Sequence, residues 1–143
     1  MRLRNSTNIP NETAKEIIRF VRPAGISRFD VEVRNSRSAY AGRAYHQGSG
    51  YHDRAAPFIV VRIGPDKLFP SHSEAHGGYL RIAMGNRIEA MVVVLAHELR
   101  HLWQAANPLR GKRRGMVYGA RGRFSERDAD AYALHKLREW RRR

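Results

Sequence analysis

Cysteine is absent from this 143-residue chain, and its absence removes several classes of protein at once. Without thiols there is no disulfide framework, no cysteine-ligated zinc finger or iron–sulfur cluster, and no thiol nucleophile. Any metal ion must therefore be held by His, Asp or Glu side chains. Long apolar runs are lacking as well, because no stretch approaches the roughly 18 residues that a membrane-spanning helix requires.

The first five residues have neither the apolar run nor the small-residue cleavage site of a signal peptide, so a cytoplasmic protein is expected. Acidic residues are few: 13 Asp and Glu against 27 Lys and Arg leave a formal net charge of +14 with neutral histidines. A surface of that charge attracts polyanions. Nonspecific nucleic-acid binding or an acidic protein partner is therefore expected, without insertion into a membrane.

A chain of this length typically forms one domain with its own core, and 42% of the residues are hydrophobic. We therefore predict a single domain over residues 1–143. The apolar pattern predicts a helix over residues 12–21, capped by Asn11. Alternating or β-branched residues then predict strands at 29–33, 39–46, 58–63 and 79–84, with polar loops at 47–54 and 70–78.

The last third of the chain is predicted to be helical. Asn86 followed by Glu89 is similar to a capping box, and the helix that it opens continues to Ala106. Ser125 with Asp128 predicts the start of a final helix that reaches about residue 140. The predicted fold class is α+β, with an N-terminal helix, a small twisted sheet and two C-terminal helices.

Residues 97–101 read His-Glu-Leu-Arg-His, an H-E-x-x-H motif within the first of these two helices. Residues four apart share one face of a helix, so the imidazoles of His97 and His101 can bind one metal ion. Zinc acidifies the water that it binds, and Glu98 can take the released proton and pass it to a leaving amine. One zinc ion per chain is expected, with Glu98 as the general base.

Catalytic zinc usually has three protein ligands, so two histidines leave the site incomplete. Glu126 and Asp130 lie four residues apart in the last predicted helix and therefore share a face. One of these carboxylates can bind the metal, while the other accepts the outer N–H of a ligand histidine.

An H-E-x-x-H motif followed on the next helix by E-x-x-x-D resembles the gluzincin branch of the zincin metallopeptidases. The segment is similar to that of short CAAX-prenyl-protease-like enzymes and of ImmA/IrrE-like peptidases, which usually have Asn where this chain has Asp130. The resemblance covers about residues 86–137. It implies a zincin-like fold, zinc-dependent peptide-bond hydrolysis, an edge strand that holds the substrate, and these site residues: ligands His97, His101 and Glu126, general base Glu98, and Asp130 as the partner of His97.

Two other residues compete for the position of third ligand. In SprT-like proteases, which cut proteins crosslinked to DNA, a histidine has this function, and His135 is the one histidine downstream of the motif. It lies about 180° around the helix from Glu126, so the two cannot both face the metal. Asp130 as a ligand would be the aspzincin arrangement, but the G-T-x-D context of those enzymes is missing here.

Further polar groups have weaker claims to a function. Tyr118 is a candidate donor to the developing oxyanion, whereas Tyr132 lies about 240° around the helix from Glu126 and should point away from the metal. The remaining candidate ligands fall in polar loops, which preorganise a metal site poorly, and we expect none of them to bind zinc: His46, His52, His72, Glu74 and His76.

Basic residues are concentrated in the predicted loop 109–123 and at the C-terminus, at positions Arg110, Lys112, Arg113, Arg114, Arg121, Arg123, Arg138 and Arg141–Arg143. They suit an acidic or DNA-associated protein substrate, or a solvated surface without a dedicated partner. The predicted function is a zinc metallopeptidase. The alternatives are a SprT-like protease, a basic binding module with a structural metal site, and a hydrolase acting on a non-peptide bond.

Overall fold

The computed structural model describes residues 1–45, 56–76, 78–107, 118–119 and 124–143, and it confirms the predicted α+β class. Four strands form the main sheet: β1 (Arg2–Asn5), β2 (Asp30–Asn35), β3 (Tyr40–Tyr45) and β4 (Phe58–Ile63). Their order across the sheet is β1-β2-β4-β3. Strand β1 is parallel to β2 and β2 to β4, whereas β3 is antiparallel to β4 and lies at the edge of the described sheet.

The three helices are α1 (Asn11–Val21), α2 (Arg87–Ala106) and α3 (Glu126–Arg142). Two short pairs of strands complete the regular structure: β5 (Ser71–His72) with β6 (Ala83–Met84), and β7 (Tyr118–Gly119) with β8 (Phe124–Ser125). Single 3-10 turns lie at Asp66–Leu68 and Ser73–His76. None of the helices in the described ranges is long and apolar enough to cross a bilayer.

The core lies between one face of the sheet and α2. Side chains alternate between the two faces of a strand, so Val33 and Val61 face the helices and are fully buried, whereas Arg34 and Arg62 lie on the opposite face. Helix α2 packs against α1, α3, β3 and β4. Its residues from Ala90 to Ala96 are all buried. Helix α2 is therefore a central helix that is buried on all sides along this segment, and not an amphipathic helix with one buried face.

The helix starts agree with the sequence at two of three positions. The side chain of Asn86 accepts from the backbone N–H of Glu89 at 2.9 Å, and Ser125 accepts from the N–H of Asp128 at 3.0 Å. The prediction that Asn11 caps α1 is wrong. Asn11 is the first helical residue, and Pro10 precedes it without a capping side chain.

The predicted strand over residues 79–84 is reduced to β6, because side chains take the backbone groups that a strand would use. Asp130 accepts from the N–H groups of Tyr79 and Leu80, and the Ser73 hydroxyl bonds to the Leu80 carbonyl and the Ile82 N–H. The predicted loops 47–54 and 109–123 fall outside the described residues, apart from the short strand β7.

Candidate metal centre

Helices α2 and α3 cross so that the H-E-x-x-H motif meets the first turn of α3. His97 and His101 lie one helical turn apart on α2, with ring centroids at 4.8 Å and nearly perpendicular planes. The cap at Ser125 begins α3 at Glu126, and this places the Glu126 carboxylate against both imidazoles. Two local features, a motif spacing and a cap, therefore determine where the three side chains meet.

Three potential ligand side chains converge at this crossing. Nε2 of His97 lies 2.9 Å from Oε2 of Glu126, Nε2 of His101 lies 2.9 Å from Oε1 of the same carboxylate, and the two Nε2 atoms are 3.2 Å apart. Two donors bound to a tetrahedral zinc ion are about 3.3 Å from each other. The donor types and their separations fit zinc. His97, His101 and Glu126 therefore form a group that could hold a metal ion, the metal group of this site.

Asp130 binds the outer nitrogen of His97. Its Oδ1 atom lies 2.8 Å from Nδ1 of the imidazole, and its Oδ2 atom accepts from the backbone N–H groups of Tyr79 at 2.7 Å and Leu80 at 3.2 Å. The carboxylate is 5% exposed. Because a carboxylate oxygen accepts hydrogen bonds, Nδ1 donates to Asp130 and Nε2 is turned toward Glu126, where a bound metal ion would replace the proton of Nε2.

Gln104 binds the outer nitrogen of His101. The sequence predicted no function for this residue. The Gln104 amide nitrogen donates to the Ser125 carbonyl and to Oδ2 of Asp128, each at 3.0 Å. The amide oxygen must therefore face Nδ1 of His101, 2.7 Å away, and the imidazole donates to it. Gln104 lies three residues after His101 on the same helical face, which is the signal that could have found it.

Arg100 fixes the position of Asp128. Its Nε atom donates to Oδ2 of Asp128 at 2.7 Å, its Nη2 atom donates to Oδ1 at 3.2 Å, and its guanidinium lies 3.7 Å from the centroid of the Trp103 ring. Burial alone would raise the pKa of Asp128, but the hydrogen bonds from Arg100 and Gln104 hold it below its usual value. Asp128 therefore remains an anion that can hold the Gln104 amide.

His97 and Glu126 stabilise each other's charged forms. Burial opposes the charged form of His97, but the hydrogen bonds that it donates to Asp130 and Glu126 raise the pKa of this imidazole to about 10. Burial likewise opposes ionisation of Glu126, and the bonds from His101 and His97 lower its pKa to about 2. The carboxylate is thus an anion over the whole physiological range, as a metal ligand must be.

Glu98 lies next to this group without belonging to it. Its side chain is buried, and Oε1 lies 3.9 Å from Nε2 of His97. Burial raises the pKa of Glu98 above its ordinary value, although the charges of His97, His101 and Arg43 act in the opposite direction. A raised pKa makes this carboxylate a stronger base, which favours its acceptance of a proton.

The edge strand β3 runs directly over the turn of α2 that carries Glu98. A Cβ atom at Gly42 would lie 2.5 Å from Cγ2 of Val94 and 2.9 Å from Cγ of Glu98, closer than side-chain atoms approach one another. Only glycine permits this contact between strand and helix. Gly42 therefore allows β3 to cover Glu98 and brings the edge of the sheet beside the metal group.

No protein-family model, curated protein or solved structure matches this chain.

The rival ligand His135 and the rival donor Tyr132 lie away from His97, His101 and Glu126. The His135 side chain is 67% exposed and pairs with Glu139 at 3.1 Å. The Tyr132 hydroxyl donates to the carbonyl of Val21 on α1, and burial raises the pKa of Tyr132 to about 12. The Tyr118 side chain falls outside the described residues, as do His46, His52, the side chain of His76 and the basic residues 110–114, 121 and 123.

The remaining predicted residues do not join the metal group. His72 is half-buried in β5, and Glu74 pairs with Arg81 at 3.2 Å. At the C-terminus, Arg141 and Arg143 form ion pairs with acidic residues of α2 and α1, and Arg138 is exposed.

Proposed function

We propose that this chain is a zinc-dependent endopeptidase of the gluzincin type, with a zincin-like domain. One observation carries the proposal: the Nε2 atoms of His97 and His101 and both carboxylate oxygens of Glu126 converge beside the buried carboxylate of Glu98. The same arrangement could serve hydrolysis of another bond. No strand of the described residues pairs with the outer edge of β3 next to the group, and this edge favours a peptide, because an extended chain can pair with a strand edge.

His97, His101 and Glu126 would hold the zinc ion, with Nδ1 of each imidazole fixed by Asp130 or Gln104. Zinc bound there supplies a Lewis acid that lowers the pKa of water and polarises the scissile carbonyl. The hydrogen bonds at Nδ1 set the tautomer and the orientation of each ring before the metal arrives. Such preorganisation raises the affinity of the site.

Glu98 moves the proton. Its carboxylate accepts a proton from the attacking water as the oxygen adds to the carbonyl carbon of the peptide. It then donates this proton to the amide nitrogen, which leaves as an amine when the C–N bond breaks. Burial under Gly42 shields Glu98 from bulk water and raises its pKa, so both transfers are feasible near neutral pH.

The deciding experiment measures metal content and turnover in a matched set of variants. Wild-type protein, purified without a chelating column, should contain one zinc ion per chain by mass spectrometry. Glu126→Ala should lose the zinc, whereas Glu98→Gln should keep it and lose the cleavage of an unfolded protein substrate. His135→Ala is the control for α3 and should keep both zinc and activity.

Each outcome separates this proposal from a rival. Zinc retained in Glu126→Ala but lost in His135→Ala would replace the proposal with the SprT-like arrangement. Cleavage by Glu98→Gln would contradict the assigned general base. Zinc bound in stoichiometric amount, with no hydrolysis of peptides but turnover of an ester, would identify a different hydrolase. Zinc bound with no hydrolysis of either substrate would identify a structural site in a basic binding module.

A further inference from the structure

The sheet has a second feature on the face away from the helices. A cleft of about 550 Å³ opens there between β2, β3 and β4, and its described lining includes Arg34, Arg43 and Arg62. The backbone of Gly42 belongs to the same lining, so the cleft begins at the strand that covers Glu98. The metal group lies beyond this strand, on the helix side of the sheet.

The charge of the cleft is strongly positive. Glu32 is the one acidic residue in its described lining; it is 5% exposed, lies 2.6 Å from Nη2 of Arg34 and is 3.9 Å from Nη1 of Arg4. Its charge is thus neutralised within the sheet. Arg43 and Arg62 are exposed, and neither forms an ion pair with another residue of the described ranges. Arg43 acts on the buried Glu98 carboxylate through its charge alone, so both guanidinium groups can still donate hydrogen bonds to an external anion.

The register of the strands places both arginines along the outer edge of β3, which pairs with no strand of the described residues. Arg62 of β4 is opposite Ala41 of β3, and Arg43 is opposite Val60. Neighbouring strands are about 4.8 Å apart, a distance that an arginine side chain exceeds, and Ala41 is too small to block it. Arg62 can therefore reach across β3 to the edge, where Arg43 already stands.

An extended peptide paired with this edge would alternate its side chains between the two faces of the sheet. Every second side chain would lie on the outer face, beside Ala41 and Arg43. A carboxylate at such a position would meet exposed guanidinium groups, each of which can donate two parallel hydrogen bonds to it.

We propose that the outer cleft is a specificity subsite that binds Asp and Glu side chains of an extended peptide paired with β3. The inference rests on the proposed peptidase function, for which it names the substrate class: acidic segments of proteins. A net charge of +14 is consistent with it, since the field of the whole molecule attracts such segments.

Peptide binding tests this without turnover. Zinc-loaded Glu98→Gln protein is titrated into a fluorescent peptide that carries Glu at alternate positions, and into a second peptide with Gln at the same positions. Fluorescence anisotropy should show tighter binding of the Glu peptide. Adding Arg43→Gln or Arg62→Gln should weaken its binding about fivefold to tenfold and leave the Gln peptide unaffected. Arg19→Gln, an exposed arginine on α1, removes the same charge elsewhere and is the matched control.

Two results with the peptides would overturn the inference: equal affinities for both, or an affinity loss in Arg19→Gln as large as in the cleft variants. A single-stranded oligonucleotide titrated in the same way gives the third. The inference fails if Arg43→Gln and Arg62→Gln weaken the binding of the oligonucleotide and leave the binding of the Glu peptide unchanged. Thermal melts and zinc content verify that each variant is folded. Failure of the peptidase proposal looks different, because it appears as missing zinc or missing cleavage. A protein that cleaves both peptides equally would keep the peptidase function and lose the acidic subsite.

Discussion

Nδ1 of His97 lies 2.8 Å from Oδ1 of Asp130, and the other oxygen of the same carboxylate holds the backbone at Tyr79 and Leu80. One buried side chain therefore joins an imidazole of the candidate metal centre to the segment that precedes β6. The orientation of the ring and the conformation of this segment depend on the same group.

Asp130→Asn should weaken zinc binding about 10- to 100-fold. An amide has one oxygen and one NH₂ group, so it cannot accept both from His97 and from the two backbone N–H groups. Whichever way it turns, a buried donor loses its acceptor, and the free energy of unfolding should fall by about 1–3 kcal/mol. Competition with a fluorescent chelator gives the affinity, and urea denaturation gives the stability.

Asp66→Asn is the matched control for this change. Asp66 is exposed in the turn after β4 and lies outside the metal group, so zinc affinity and stability should both stay at the wild-type level. Wild-type zinc affinity in Asp130→Asn would show that the contact with His97 does not orient the ring.

Two variants of Gln104 should separate its contact with His101 from its contact with Asp128. Gln104→Leu removes the acceptor at Nδ1 of His101, so zinc affinity should fall about tenfold. Gln104→Glu keeps an acceptor there but places a carboxylate where the amide nitrogen was 3.0 Å from Asp128. Like charges then repel, so this variant should lose stability while retaining more of the zinc affinity. The same chelator and urea titrations apply, and equal zinc affinities in the two variants would contradict the prediction.

Local chemistry explains why the helices could be predicted. Asn86 and Ser125 are capping residues whose acceptors act three residues away, so the starts of α2 and α3 are visible in short windows of sequence. Strand β4 was predicted with its observed bounds because five of its six residues are Phe, Ile or Val and a Gly-Pro pair follows it.

Long-range pairing explains what was missed in the fold. Residues 2–5, with the sequence Arg-Leu-Arg-Asn, carry no distinctive strand pattern, and they become β1 because their backbone pairs with β2 from Arg2 opposite Asp30 onward. Similarly, residues 79–82 alternate in sequence, yet Asp130, about 50 positions away, takes the two N–H groups at their start. Neither partner is apparent from a local window.

At the candidate site, too, local spacing predicted some features and contacts between distant residues decided others. The spacing of His97 and His101 and the four-residue step from Glu126 to Asp130 predict which side chains share a face, and the structure brings them together. The burial of Glu98 depends on Gly42, which belongs to a distant strand. No helical periodicity contains that information.

Gly42→Ala tests the contact between β3 and α2. The added methyl group overlaps Cγ2 of Val94 and Cγ of Glu98, so β3 must move away from the helix. We expect the free energy of unfolding to fall by about 1–3 kcal/mol, as in other overpacked cores. Urea denaturation measures the loss, and turnover should fall as well because Glu98 is displaced.

A second-site change makes this prediction specific. Val94→Ala deletes the methyl group nearest to the new Cβ, so the double variant should lose less stability than the sum of the two single variants. Ala41→Ser, on the exposed face of the same strand, is the control and should leave stability unchanged. Strict additivity in the double variant would mean that the glycine is required for another reason.

The ion pair between Glu89 and Arg141 should make stability depend on pH. Two hydrogen bonds of 2.7 and 2.8 Å from Arg141 lower the pKa of Glu89 in the folded state, and the Gly85 N–H adds to this effect while burial opposes it.

A depressed folded pKa stabilises the protein above the unfolded value of about 4.5, and this contribution is lost as the pH falls through the lower folded value. Glu89→Gln should therefore lower the free energy of unfolding by about 1 kcal/mol near pH 7 and by progressively less as the pH falls below 4.5, measured by urea denaturation at each pH. Glu12→Gln provides the comparison, because the Glu12 side chain is 83% exposed and its pair with Lys15 is long at 3.6 Å. A loss of stability that stays constant for Glu89→Gln across this range would mean that the pair adds packing and no charge-dependent stability.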